Sequence, residues 1–486
     1  MITDYLNKQR KEYITKVSDK FKYENGVCIS PDGKVVISID ENAESIIIPY
    51  GVEYIHEDAL SKYNEDAFGV RAKMRSLHIP SSLKIIPPAM FSHLNLEHIE
   101  FEPAKNSSEQ TVLSTKAFAA NNNLRKLNIP ANYTISDTFT DCINLKSLVY
   151  SGRQVGDLAF NCCENLKDVT LPNVEVIGVN AFGHCDIRSL NFPKSLKKIC
   201  LYAFLCNENL ETVKFKAGNS IHISDDVFSD CVKLTYVENL ESAKVIGSRA
   251  FANTNINHLS LGKNIEMIGL FAFANCKNLT SVRIDMGDGV IPVSCFEDCT
   301  NLDIVLLDSI KNVGLMAFRN TGVIDVSFPS NTENLSEGIF NDNKNIMREI
   351  DLSDTKITTF SENTFANIIE LLVMPKKLKD IEDYAFSSSR IIDLVLYTNN
   401  LNFENININR IFEYANIENL ILVGNNITKE LLEEMLYCDG HIKNIYVNLK
   451  DDEKINNIDG TYIYEIKDCI FRFPFKKCNK LFQEER

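Results

Sequence analysis

Tryptophan is absent from this chain of 486 residues, and no run of 18 or more apolar residues occurs in it. With an ordinary apolar content of 44%, the composition is not that of a membrane protein, and no transmembrane helix is expected. Positive charge is also in short supply: the formal net charge is -15, which argues against general nucleic-acid binding, since that needs a basic footprint. Chemistry-bearing motifs are missing too. There is no Walker A loop, no GxGxxG after a strand, no HExxH and no GxSxG, and the eight histidines do not cluster at ligand spacing. No enzyme, cofactor or metal is therefore expected. The first residues, MITDYLNKQRKEY, lack an apolar core, so the chain as given carries no secretory signal. Two readings follow: an intracellular protein, or an exported one whose signal has been removed.

What the chain does have is repetition. Residues 268 to 284, IGLFAFANCKNLTSVRI, recur with small changes along most of its length. Their second Phe, Phe273, has equivalents at Phe68, Phe91, Phe118, Phe139, Phe160, Phe182, Phe204, Phe228, Phe251, Phe296, Phe318, Phe340, Phe365, Phe386 and Phe412, at a mean spacing of about 23. Each copy continues into L-x-x-L-x-L, as in Leu166-x-x-Val169-x-Leu171 and Leu302-x-x-Val305-x-Leu307. Residues two apart share one face of a strand, so the last two apolar positions point inward and the residue between them points out. One coil cannot bury that inward face, but a stack of coils can. The expectation is a mainly β repeat solenoid, a curved rod of about eighteen short parallel coils, with Phe forming an interior column. Pro after the strand (Pro80, Pro130, Pro172, Pro193, Pro329, Pro375) ends it, and Gly four residues before Phe (Gly156, Gly178, Gly247, Gly269, Gly314) suits a turn with unusual backbone angles.

The combination I-G-x-x-A-F-x-x-C-x-x-L-x-x-I-x-I-P, matched closely by IGVNAFGHCDIRSLNFP at residues 177 to 193, resembles the BspA-like class of leucine-rich repeats. The resemblance spans roughly residues 43 to 447. It implies a leucine-rich repeat fold and a binding role, adhesin-like or host-interacting in an exported, cell-surface form; the same surface would serve an intracellular scaffold or inhibitor. The hairpin YENGVCISPDGKVVISID at 23 to 40 is also similar to the family's N-terminal unit.

Three regions are expected: a cap at 1–42, helical to about residue 22 and then a hairpin; the solenoid at 43–424; and a C-terminal cap at 425–486 that holds the last repeat strand. The N-terminal helix is read as a cover for the first coil or as a membrane-surface helix. In NITKELLEEMLYC the expectation is a true helix with Thr428 as N-cap.

Cysteine is plentiful, with fourteen residues, and Cys142, Cys163, Cys185, Cys231, Cys276 and Cys299 all lie three positions after the repeat Phe. A residue that recurs with the coil reads as an interior rung, a small buried hydrophobe, rather than a disulfide or metal ligand.

Function is expected at the outward positions of L-x-x-L-x-L, the second, third and fifth, which stack into columns. Arg125, Lys146, Lys167 and Arg188 occupy the second position of four consecutive coils, with Lys126 beside them and Lys214 further along. Residues 116 to 216 carry 12 Lys+Arg against 9 Asp+Glu, or +3, which leaves -18 for the rest. Stacked like charges repel, so this column reads as a site for an acidic partner, or as cations splayed into water and paired with Asp168 or rim carboxylates. Toward the C-terminus the columns turn apolar, with Ile304, Leu306, Ile324, Leu371, Val373, Ile392, Val395, Ile421 and Tyr446. That band reads as a contact surface for a protein partner, or as side chains turned inward or covered by the C-terminal cap.

Overall fold

Because its inward positions can be buried only by another coil, the chain is a mainly β solenoid of about eighteen turns, with parallel strands and almost no helix. The computed structural model describes residues 21–60, 73–106, 108–218, 220–436, 438, 440–447 and 462–465. The helix expected before residue 21, the repeat position Phe68 and the charged tail lie outside these residues; Lys22, placed at the end of that helix, instead begins a strand. All eighteen repeat strands expected from L-x-x-L-x-L are present, from Ser45–Ile47 to His441–Val447. A nineteenth, Tyr462–Glu465, pairs in parallel with the last of them. The chain forms two compact units, residues 1–258 with 264–276, and residues 259–263 with 277–486.

In the first unit the expected hairpin is Val27–Ile29 against Val35–Ile39, preceded by an antiparallel partner, Lys22–Glu24. Its last strand does more than cap: Val35 and Val36 pair in parallel with Tyr54 and Ile55. That contact joins the three hairpin strands to a ladder of ten short segments running to Met267–Ile268, thirteen strands in all. The ladder lies between each repeat strand's end and the next Phe. Each coil thus contributes two strands to two separate ladders.

A third set of hydrogen bonds runs through the Phe turn. Residues two before and two after the Phe adopt left-handed backbone, as at Leu158 (φ 55°) and Cys162 (φ 57°) around Phe160. This turns three alternate N–H groups toward the next coil. Leu158 donates to Val179 O (2.9 Å), Phe160 to Ala181 O (2.8 Å) and Cys162 to Gly183 O (2.9 Å). A non-glycine residue in that region costs about 1 kcal/mol or more, and the inter-coil bonds offset it.

The Phe rings fill the interior as expected. From Phe91 through Phe118, Phe139, Phe160, Phe182, Phe204, Phe228 and Phe251 to Phe273, successive centroids lie 5.2 to 5.5 Å apart. Each ring is buried, worth about 1.5–3 kcal/mol, with the offset stack adding about 0.5–1.5 kcal/mol per pair. In the second unit the single column is broken. Phe360, not a repeat position, stacks on Phe386 and sits 5.6 Å from Phe365.

The glycines four residues before Phe have a different role from the one their turn position suggested. None of Gly156, Gly178, Gly247, Gly269 and Gly314 has positive φ. They are small because the neighbouring coil leaves no room: a Cβ on Gly178 would lie 2.5 Å from Asp157 Oδ1 and 2.6 Å from the Asp157 backbone nitrogen. Gly178→Ala is accordingly expected to lower unfolding stability by about 1–3 kcal/mol through overpacking. Gly218→Ala, in open space at φ 77°, meets no such neighbour and should lose only about 1 kcal/mol. Urea unfolding of the two variants checks the ranking.

Candidate recognition surface

In each coil the repeat strand shows the outward side chains fixed by L-x-x-L-x-L, and backbone pairing puts equivalent positions directly above one another. Lys146 N–H donates to Arg125 O (2.8 Å), Lys167 N–H to Lys146 O (3.0 Å) and Arg188 N–H to Lys167 O (3.5 Å). The basic column is therefore a true ladder, one residue per coil. Glu97, whose N–H donates to Arg75 O (2.8 Å), holds this position one coil before Arg125, and Glu211 follows the run, its N–H donating to Arg188 O (2.9 Å). Arg125, Lys126, Lys146, Arg188 and Lys214 are exposed and Lys167 is half-buried.

Two of these cations are paired with acids. Lys167 reaches Asp186 (3.3 Å), and Lys214 reaches Glu238 (3.2 Å). Arg125 donates to the Asn144 carbonyl at 3.3 Å, a neutral partner. For Lys126, Lys146 and Arg188 no acidic side chain lies within ion-pair distance among the described residues. The Asp168 pairing weighed from sequence does not occur there, because Asp168 stands in the third-position column, in register with Ser147. Repulsion between adjacent exposed cations is at most about 1 kcal/mol in water. The fold tolerates that easily. Beside the column stand Asn128, exposed Val149 and Thr170, so the patch combines cations with a small apolar spot.

The apolar columns of the second unit divide. Ile304, Leu306 and Ile392 are exposed, and Ile324 is half-buried. Val373, Val395 and Ile421 are not exposed; they are 4%, 1% and 2% accessible and form a cluster with Tyr397 and Val423 against which Leu371 and Tyr446 pack. The register is the expected one, Val373 beside Val395 beside Ile421 beside Tyr446. They point outward from the strand and are nonetheless covered, so this part of the band offers no free contact surface.

Next to the cluster is a column that sequence reasoning missed. Asn419 Nδ2 donates to Asp393 Oδ1 (2.7 Å) and Asn444 Nδ2 donates to Asn419 Oδ1 (2.8 Å). Asp, Asn and Asn at the third position of consecutive copies were the available signal. Burial raises the Asp393 carboxyl above its ordinary range. Nearer the start of this unit, a cleft of about 400 Å³ is lined by Leu306, Phe328 and the acidic Asp325, Glu349, Asp351 and Asp354. Among the described residues no three His, Cys, Asp or Glu side chains converge as metal ligands do. No helix there is long and apolar enough to cross a membrane.

The cysteine rung is interior and also polar in use. The thiols of Cys142, Cys163, Cys185 and Cys231 donate to the carbonyl of the repeat Phe one coil back, at 3.3 to 3.4 Å. Asn121 and Asn207 occupy the same rung and donate to the equivalent carbonyls of Phe91 and Phe182. Burial pushes the Cys142 thiol up to about 12 and raises Cys163, Cys185 and Cys231 strongly.

A stack of L-x-x-L-x-L strands over a Phe column, with outward positions aligned in register, defines a leucine-rich repeat protein. The profile of the BspA type leucine rich repeat region matches residues 39–153, 136–239, 221–347 and 346–461, and the chain belongs to that family. Among solved structures it is similar to a leucine-rich repeat protein from Bacteroides ovatus, at 18% identity over 64% of this chain and 87% of that one, with a TM-score of 0.38. The pneumococcal vaccine antigen PcpA is 17% identical over 87% of this chain and 95% of its own, at a TM-score of 0.37. A leucine-rich cell surface protein from Faecalibacterium prausnitzii is 16% identical, covering 85% and 97%, at 0.28. None superposes well enough to carry a function across. A comparison with curated proteins finds no match.

The rung makes a chemical prediction. An unfolded thiol titrates near 8.5, whereas these four ionise only far above that, so the thiolate stays scarce across pH 7 to 10. Alkylation of the native protein at pH 8 should leave Cys142, Cys163, Cys185 and Cys231 unlabelled, and denaturant should expose all four. Mass mapping of the labelled peptides checks this; native labelling at the denatured rate would contradict it.

Proposed function

We propose that this chain is a non-catalytic recognition protein that binds a protein partner through the outward face of its repeat strands, an acidic segment of the partner lying along Arg125, Lys146, Lys167 and Arg188. The observation that carries this reading is the alignment of four cations on consecutive coils, of which only Lys167 has an acidic partner within reach among the described residues. A partner carboxylate every ~4.8 Å along the stack would match the column, the spacing of neighbouring strands. Lys126 flanks the path, and Val149 supplies an apolar contact at its centre. Charges so arranged steer association and fix orientation more than they add affinity. Membership of the BspA-type family supports the binding role. An adhesin-like setting on a cell surface is the form of it we favour. Exposed Ile304, Leu306 and Ile392 are assigned as secondary contacts in the second unit.

The test replaces Arg125, Lys146, Lys167 and Arg188 together by Glu and measures binding of a fluorescein-labelled poly-glutamate peptide by anisotropy. The intact protein should bind it, more weakly as salt rises and the screening length falls from about 10 Å at 0.1 M to about 3 Å at 1 M. The variant should lose at least tenfold, about 1.4 kcal/mol, with its unfolding midpoint unchanged. Equal binding by both proteins at every salt concentration would overturn the assignment.

A further inference from the structure

The fifth-position column of the second unit is interrupted at one place. Leu306 stands beside Ser327, and Asp351 beside Val373, each pair in parallel register. Ser327 and Asp351 are not paired, because strand Asp325–Ser327 ends one sheet and Met347–Asp351 begins the next. The coil between them is longer than its neighbours: 24 residues separate Ser327 from Asp351, against 21 from Leu306 to Ser327 and 22 from Asp351 to Val373. Arg348 N–H still reaches Ile324 O (3.0 Å). Past that bond the strands part, and residues of both line the cleft of about 400 Å³. That volume falls within the roughly 300–1,000 Å³ of ordinary ligand pockets.

The lining divides by chemistry. Leu306 and Phe328 give it an apolar side. Two of its acids are already neutralised, Asp325 by Arg348 (3.3 Å) and Asp354 by Lys376 (3.4 Å). Asp351 is half-buried and has no cation within ion-pair distance among the described residues. Its Oδ1 accepts from Ser353 N–H (2.9 Å), which leaves further acceptor positions of the carboxylate open. Ser353 is the second, separate observation. It lines the cleft, is 7% accessible, and its hydroxyl has no hydrogen-bond partner among the described residues. The neighbouring Thr355 hydroxyl, by contrast, donates to Leu352 O (2.7 Å). Enclosed polar groups are as a rule hydrogen-bonded, and the cleft is the side from which a partner for Ser353 can come.

We infer that the cleft binds a lysine side chain presented by a partner protein. An ammonium has three N–H donors and no acceptor, so Asp351 and Ser353 Oγ can both accept from it. Leu306 and Phe328 take the aliphatic stem, as apolar surface does for lysine elsewhere. Glu349, two residues before Asp351, adds negative charge to the same wall. A metal ion does not fit, since no three carboxylates converge as ligands do among the described residues. A free polyamine fits less well than lysine, because its second ammonium would lie against Leu306 and Phe328. The cleft is contained in the second unit, and its use does not depend on the basic column.

The experiment titrates the full chain with Nα-acetyl-lysine methylamide and follows the ligand by NMR. Binding should saturate, and the Nε-acetylated form of the same probe, which keeps the stem and loses the charge, should not bind. Asp351→Asn and Ser353→Ala should each weaken binding about tenfold with the unfolding midpoint near that of the wild type. Cadaverine should bind no more tightly than the lysine probe. Failure of the lysine probe to saturate, equal binding of its acetylated form, or unchanged affinity in either folded variant would overturn the assignment, and so would tighter binding of cadaverine. Should a variant not fold, the three probes on the wild-type protein still decide.

Discussion

Coil-on-coil contact is the constraint from which the rest of this structure follows. A single turn of about 23 residues has no interior of its own; its Phe, its strand residues and its Cys, Asn or Thr rung all face a space that only the next turn can close. Three hydrogen-bonded tracks hold neighbouring turns together: the repeat strands, the short segments before the Phe turn, and the N–H groups of the turn itself. The third explains several oddities at once. Left-handed residues such as Leu158, Arg249 and Met316 are tolerated because their N–H reaches the adjoining turn. Gly178 and Gly269 are glycine because the turns approach too closely for a Cβ.

Surface chemistry inherits the same rule. Stacking in register converts one position of a repeat into a line of side chains, so a modest preference in each copy becomes a long uniform feature. In the first unit that feature is a run of cations bounded by Glu97 and Glu211. In the second it is an apolar line that is exposed at Leu306 and buried by Val373. The two lines are products of the same geometry but stand in different environments, and only the basic one is open to a partner along its length.

Much of this was legible in the sequence. Every one of the eighteen strand centres set by L-x-x-L-x-L falls within a strand, from Ile47 to Tyr446, because the pattern is local and the stack enforces it. The Thr428 cap was legible for the same reason, its hydroxyl accepting from Leu431 N–H at 3.2 Å. What could not be read was whatever depends on packing beyond the single repeat. The outward direction of Val373, Val395 and Ile421 is a property of the strand, whereas their burial in a cluster with Tyr397 and Val423 is set by contacts that the local pattern does not carry. Phe360 entered the aromatic column from outside the repeat position, and the strand Tyr462–Glu465 extended the sheet into a region read only as a cap. The glycines were found for the wrong reason, since sequence shows that a side chain is missing but not whether backbone angle or crowding removed it.

Hydrogen exchange on the intact chain tests the central claim, that the Phe turn is a hydrogen-bonded track and not a loop passing between strands. The amide hydrogens of Phe118, Phe139, Phe160, Phe182 and Phe204, each donated to the following turn, should exchange as slowly as those of strands Lys126–Ile129 and Ser147–Tyr150. Exchange of these Phe amides at the rate of an open loop, with the strands protected, would contradict the account and leave the solenoid held by its two strand ladders alone.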